Sequence, residues 1–87
     1  MKVFVGGMSR HTTEARLHRR FSRFGVLESV EVVREGQHGR SLGFGFVVFV
    51  RASDARRAVD ATDGAAIDGR EVTVSTGKRI VTTTVEF

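Results

Sequence analysis

Leu42-Gly43-Phe44-Gly45-Phe46-Val47-Val48-Phe49 is the stretch on which the reading of this chain turns. Glycine weakens a strand interior, yet two glycines alternate here with two phenylalanines in a run otherwise made of strong β-formers. As a strand, its two-residue period sets Phe44, Phe46 and Val48 on one face and Gly45, Val47 and Phe49 on the other. Paired aromatics in a strand are most often core residues. From the octamer alone, either face can be the buried one.

Upstream, Lys2-Val3-Phe4-Val5-Gly6-Gly7-Met8 alternates in the same way and stops at a glycine pair. It predicts a first strand of about five residues with Val3 and Val5 on one side and Phe4 on the other. The octamer resembles the longer signature of the RNA recognition motif family, basic-Gly-aromatic-Gly/Ala-Phe-Val-x-aromatic, at seven of its eight positions. Val3 to Met8 resembles the shorter signature of that family, with Phe4 in the aromatic position. Two signatures in the family's order, with a helix and a strand between them, are far more specific than either alone. The Gly-Gly pair, and Phe24-Gly25 after the first helix, look most like the Musashi and heterogeneous nuclear ribonucleoprotein A/B branch.

The intervening segments support the order strand, helix, strand, strand, helix, strand. Thr12 or Thr13 is placed to cap a first helix, with Glu14 in its first turn, Leu17, Phe21 and Phe24 on one stripe and Gly25 at its end. A second strand runs from Val26 to Val33 with Val30 and Val32 inward. The polar, glycine-containing loop from Arg34 to Ser41 leads into the octamer and is of a kind that can clamp nucleic acid. Ser53 is expected to cap a second helix that turns Ala55, Ala58, Val59 and Thr62 to the sheet. Asp68-Gly69 marks a tight turn before a last β-run. The resemblance implies a ferredoxin-like α+β fold, βαββαβ, with a four-stranded antiparallel sheet of order 4-1-3-2 and two helices on one face. Gly45 would then face the helices and let one approach closely. The expected domain covers residues 1–79, with 80–87 as a C-terminal, β-branched tail.

The same resemblance implies single-stranded RNA as partner, with single-stranded DNA as an open alternative, and bases stacked on exposed Phe4, Phe44 and Phe46. Lys2, Arg40, Lys78 and Arg79 are the charges expected around these rings, and Ser75 and Thr76 lie where the family commonly contacts bases. Leu42 departs from the pattern, standing where the signature has Lys or Arg; Arg40, two residues back, is the expected substitute.

Charge and composition set the remaining bounds. The 87 residues carry fourteen Lys and Arg against ten Asp and Glu, a net charge of +4, and no cysteine. That excludes disulfides, thiolate metal sites and a cysteine nucleophile. Arg10, Arg16, Arg19, Arg20 and Arg23 against Glu14 hold the whole surplus, so few phosphate contacts are expected on the sheet. These arginines lie on the flank and back of the first helix and read as a solvated face; a protein-binding module of the same fold, using this helix, is the alternative function. His11 and His18 read as surface residues, and Asp60 and Asp63 as solvated charge. Acylphosphatases share the fold class, but this chain has no asparagine to orient a water. The expectation is a monomeric, non-enzymatic, intracellular module of nucleus or cytoplasm, without cofactor, metal or membrane association.

Overall fold

The computed structural model describes residues 1–36 and 38–76. Six strands and two helices alternate in the order β1 (Lys2–Gly6), α1 (Glu14–Phe21), β2 (Leu27–Arg34), β3 (Ser41–Phe49), α2 (Ala52–Thr62), β4 (Ala66–Ile67), β5 (Arg70–Glu71) and β6 (Thr73–Thr76). The main sheet has the order β2-β3-β1-β6, all pairs antiparallel. With β6 as its fourth strand, this is the expected 4-1-3-2 arrangement. Lys78, Arg79 and the tail 80–87 lie outside the described residues.

The side on which the two helices pack is the dry face of the sheet. Val3, Val5, Val47, Phe49 and Val74 are fully buried and join Leu17 and Phe21 of α1 and Ala55 and Ala58 of α2 in one core. Phe21 meets Phe49 edge-on with ring centroids 6.5 Å apart, the offset contact that aromatic quadrupoles favour. The small residues of α2 allow it to sit close to the sheet, as their spacing predicts. Among the described residues no helix is long and apolar enough to cross a membrane.

The helix ends depart from expectation in detail. Thr13 caps α1, its hydroxyl oxygen accepting from Arg16 N at 3.3 Å, whereas Thr12 is buried and donates to Asp68 Oδ2 at 2.8 Å. A 3-10 turn, Ser22–Phe24, follows α1 before Gly25. Ser53 does not cap α2. Val50 N is tied to Val26 O at 3.1 Å and Ala55 N reaches Arg51 O at 3.2 Å. The chain therefore enters the helix at Ala52, and Ser53 falls within its first turn.

Gly45 faces the helix side, but the close neighbour is a strand. A Cβ there would overlap the Glu31 carbonyl oxygen and stand 3.1 Å from Val32 Cα of β2. The tightest crowding at Gly45 thus comes from within the sheet, next to a register shift between Val32 and Arg34. Asp68 and Gly69 have φ of 52° and 79°, the left-handed pair of a two-residue hairpin turn. This turn joins β4 to β5 as a separate small sheet. Asp63 is also more than solvated charge, since its Oδ1 accepts from Val74 N at 2.9 Å and ties the end of α2 to β6.

Candidate nucleic-acid interface

Phe4 and Phe46 are cross-strand partners in the β1–β3 register, and Phe44 lies two residues from Phe46 on the same face. The three rings form a triangle. Centroid separations are 5.9 Å for Phe4–Phe44, 5.9 Å for Phe4–Phe46 and 6.3 Å for Phe44–Phe46. None of the three is in the buried core, and all are only partly covered. Both helices pack on the opposite side of the sheet, so among the described residues the aromatic patch is the uncovered face. Flat π surfaces in such an array are chemically suited to stacking on unpaired bases.

Lys2 extends the patch along β1. Its Nζ stands 4.5 Å from the centroid of the Phe46 ring, a cation–π distance. On the far side of β1, Ser75 pairs with Phe4 and Thr76 with Val3. The expected platform residues Lys2, Phe4, Phe44 and Phe46 are thus brought together.

Arg40 lies just before the first residue of β3. The residues between the pairs Val32↔Gly45 and Arg34↔Ser41 are more numerous on β3 than on β2, and Gly43 has φ of 82°. The two extra residues bulge β3 locally but keep its inside–outside parity: Ser41, Gly45, Val47 and Phe49 are all buried, and Leu42 stays on the side of Phe44. Leu42 is 51% exposed and lines a groove with Phe4, Gly6, Gly7, Met8, Gly43 and Phe44, whose cationic members are Arg10 and Arg70. Arg40 lines a neighbouring hollow with Arg10, His11 and Ser41.

Two basic residues are therefore added to the site. Arg10 precedes α1 rather than lying on it, so the charge surplus is not confined to the first helix. Its position before the Thr13 cap was a local signal that separated it from the helical arginines. Arg70 reaches the groove because the Asp68–Gly69 turn folds β5 back beside β1, and no local pattern marks that.

The remaining arginines are partly committed. Arg34 donates to Glu14 Oε1 at 3.0 Å, and Val32 N donates to Glu14 Oε2 at 3.3 Å. Burial pushes the Glu14 carboxyl up, but hydrogen bonds from its own backbone N–H, Arg34 and Val32, with the Arg34 charge, outweigh this and hold it below the usual value. Arg16 Nε donates to Asp68 Oδ1 at 2.7 Å. The Thr12 hydroxyl is the main cause that lowers the Asp68 pKa; burial opposes it and Arg16 adds to it. The expected wholly solvated arginine face is corrected accordingly: Arg16 is ion-paired and Arg20 is half-buried. His11 and His18 are exposed, as expected.

Comparison with known proteins agrees with this fold. A family model described as RNA recognition motif matches residues 3–73. The chain is similar to glycine-rich RNA-binding protein 10 of Brassica napus, 39% identical over 74 residues that are 85% of this chain and 44% of that protein. It therefore spans less than half the length of that relative. Among solved structures it is similar to the RNA-binding protein PG1, with a TM-score of 0.84 and 31% identity over 88% of this chain and 93% of that one. It is similar also to the second RRM domain of the yeast poly(U)-binding protein Pub1, with a TM-score of 0.80 and 30% identity over 87% and 92%.

Proposed function

Because this chain belongs to the RNA recognition motif family, we propose that it binds single-stranded RNA by stacking bases on Phe4, Phe44 and Phe46. The observation that carries the reading is the triangle of partly exposed rings on the helix-free face of the sheet. Three rings accommodate two or three nucleotides. Lys2, Arg10 and Arg70 border them, Arg40 lines the next hollow, and these four supply phosphate or base-edge contacts; Lys78 and Arg79 are further candidates by sequence. Stacking recognises π faces that DNA also has, so single-stranded DNA competes for the same rings.

Each stack is worth on the order of 1–3 kcal/mol, much of it offset by the cost of association, which places a single module at roughly micromolar affinity. The test is a titration of the chain with a short single-stranded RNA and with the same sequence locked in a duplex. Binding to the single strand, weak binding to the duplex and loss in a Phe4/Phe44/Phe46 triple alanine variant are expected. Equal affinity for both forms would overturn the stacking mechanism. Selection from randomised short RNA then separates purine-containing strands, implied by the resemblance to the Musashi branch, from the uridine tracts named for Pub1.

A protein-binding role of the first helix is the second reading. The cluster of arginines along α1 favours it, since the RNA platform does not use them.

A further inference from the structure

Arg16, Arg19, Arg20 and Arg23 are spaced i, i+3, i+4 and i+7, which places them on one side of α1 and its 3-10 extension. They line one hollow of about 160 Å³, closed on its other wall by Ala66, Ile67 and Asp68 of the β4–β5 hairpin. Asp68 is already engaged by Arg16 Nε at 2.7 Å and by the Thr12 hydroxyl at 2.8 Å. Arg19, Arg20 and Arg23 have no ion-pair partner among the described residues. Arg20 Nε is buried at the atom level and finds no acceptor among the described residues.

Three arginines without an ion-pair partner around one hollow leave it with uncompensated positive charge, which favours an anion there. The planar fork of arginine fits the oxygens of a phosphoryl or carboxylate group. From this arrangement we infer that the hollow between α1 and the β4–β5 hairpin takes one oxyanion group of an acidic peptide segment on a protein partner. The inference rests on the second reading above and gives it a site and a ligand chemistry; it is independent of the RNA platform. A peptide is favoured over RNA because the lining comes from the helix side of the sheet, and no residue is shared with the groove beside Phe4 and Phe44.

The probes are three short synthetic peptides, glutamate-rich with a central phosphoserine, glutamate-rich with a central glutamate, and neutral Gly-Ser, together with a short single-stranded RNA. Backbone amide NMR of the full chain reads which residues respond. Both acidic peptides are expected to move signals from Arg16 to Arg23 and from Ala66 to Asp68, leaving Phe4 and Phe46 still, while the neutral peptide does nothing. A stronger response to the phosphoserine peptide assigns the group as phosphoryl, and an equal response as carboxylate.

Replacing a charged bidentate donor weakens binding about tenfold, the loss expected for Arg20→Gln. Arg20→Lys should weaken it nearly as much, because it keeps the charge and loses the fork. Arg56→Gln on the exposed side of α2 should leave it unchanged. Should Arg20→Gln fail to fold, Arg23→Gln replaces it with the same expectation. Wild-type affinity in both Arg20 variants would overturn the hollow while leaving a protein-binding helix in place. No response to either acidic peptide would overturn both. Movement of the same signals by RNA alone would assign the hollow to an RNA backbone and overturn the proposal.

Discussion

The Phe4 ring lies against the backbone at Gly6: a Cβ built on Gly6 would stand 2.6 Å from Phe4 Cε2 and 2.8 Å from Phe4 Cζ. Two positions apart on one strand, the residues share the open face, and the missing side chain at the second sets the tilt of the ring at the first. Gly6→Ala should push the ring outward and lower RNA affinity several-fold. Alanine regains about 0.5–1 kcal/mol of strand propensity, which offsets the displaced ring, so urea midpoints should barely move. Unchanged RNA affinity in this variant would mean that the tilt of Phe4 does not matter to stacking.

The two faces of β3 predict opposite consequences for neighbouring phenylalanines. Phe49 is fully buried against Phe21, and Phe49→Ala should cost about 3–5 kcal/mol of stability. Phe44→Ala and Phe46→Ala remove partly exposed rings and should lose RNA affinity while unfolding remains cooperative. Chemical denaturation showing Phe44→Ala as damaging as Phe49→Ala would reverse the assignment of faces.

Salt dependence separates stacking from electrostatics. If Lys2, Arg10, Arg40 and Arg70 each hold a phosphate as proposed, about four contacts at roughly 0.7 each give a fall of nearly 3 log units of affinity per decade of salt. Arg10→Ala and Arg40→Ala should each flatten the slope by close to one contact. Phe44→Ala should lower affinity at every salt concentration with the slope unchanged. Parallel lines for wild type and Arg10→Ala would show that the groove beside Leu42 does not hold a phosphate.

Acid should loosen the contacts that pin the start of α1. Asp68 and Glu14 have folded pKa values lowered from 3.8 and 4.5. A lowered carboxylate pKa contributes stability that is complete above the unfolded value and is lost as pH falls through the folded one. Stability should therefore hold down to about pH 4.5 and decline below it. Asp68→Asn should be less stable near neutrality and show a shallower acid decline, measured by urea unfolding across pH. An identical acid limb in Asp68→Asn and wild type would assign the decline to other carboxylates.

Local sequence determined the fold and the rings of the site. Period-2 alternation in Val3 to Val5 and in Gly45 to Phe49 divides each strand into two faces, the resemblance to the two family signatures implies which of them is open, and helical spacing of Leu17 with Phe21 and of Ala55 with Ala58 supplies the cover for the other. Once those faces are assigned, Phe4, Phe44 and Phe46 have no place but the surface. Their gathering at 5.9–6.3 Å follows from pairing β1 with β3.

The charges around the rings were decided by tertiary structure. Arg40 lies just before β3 and lines a hollow next to the groove of Leu42 and Phe44, a placement set by the loop that joins β2 to β3. Arg70 joins the groove, and Asp68 reaches Arg16 across 52 positions of sequence. Such contacts depend on how the hairpin packs on α1, which no window of neighbouring residues encodes. Gly45 shows the same division: its need for a glycine is visible in the sequence, but the neighbour that imposes it, the Glu31 carbonyl, is fixed only when β2 comes alongside β3.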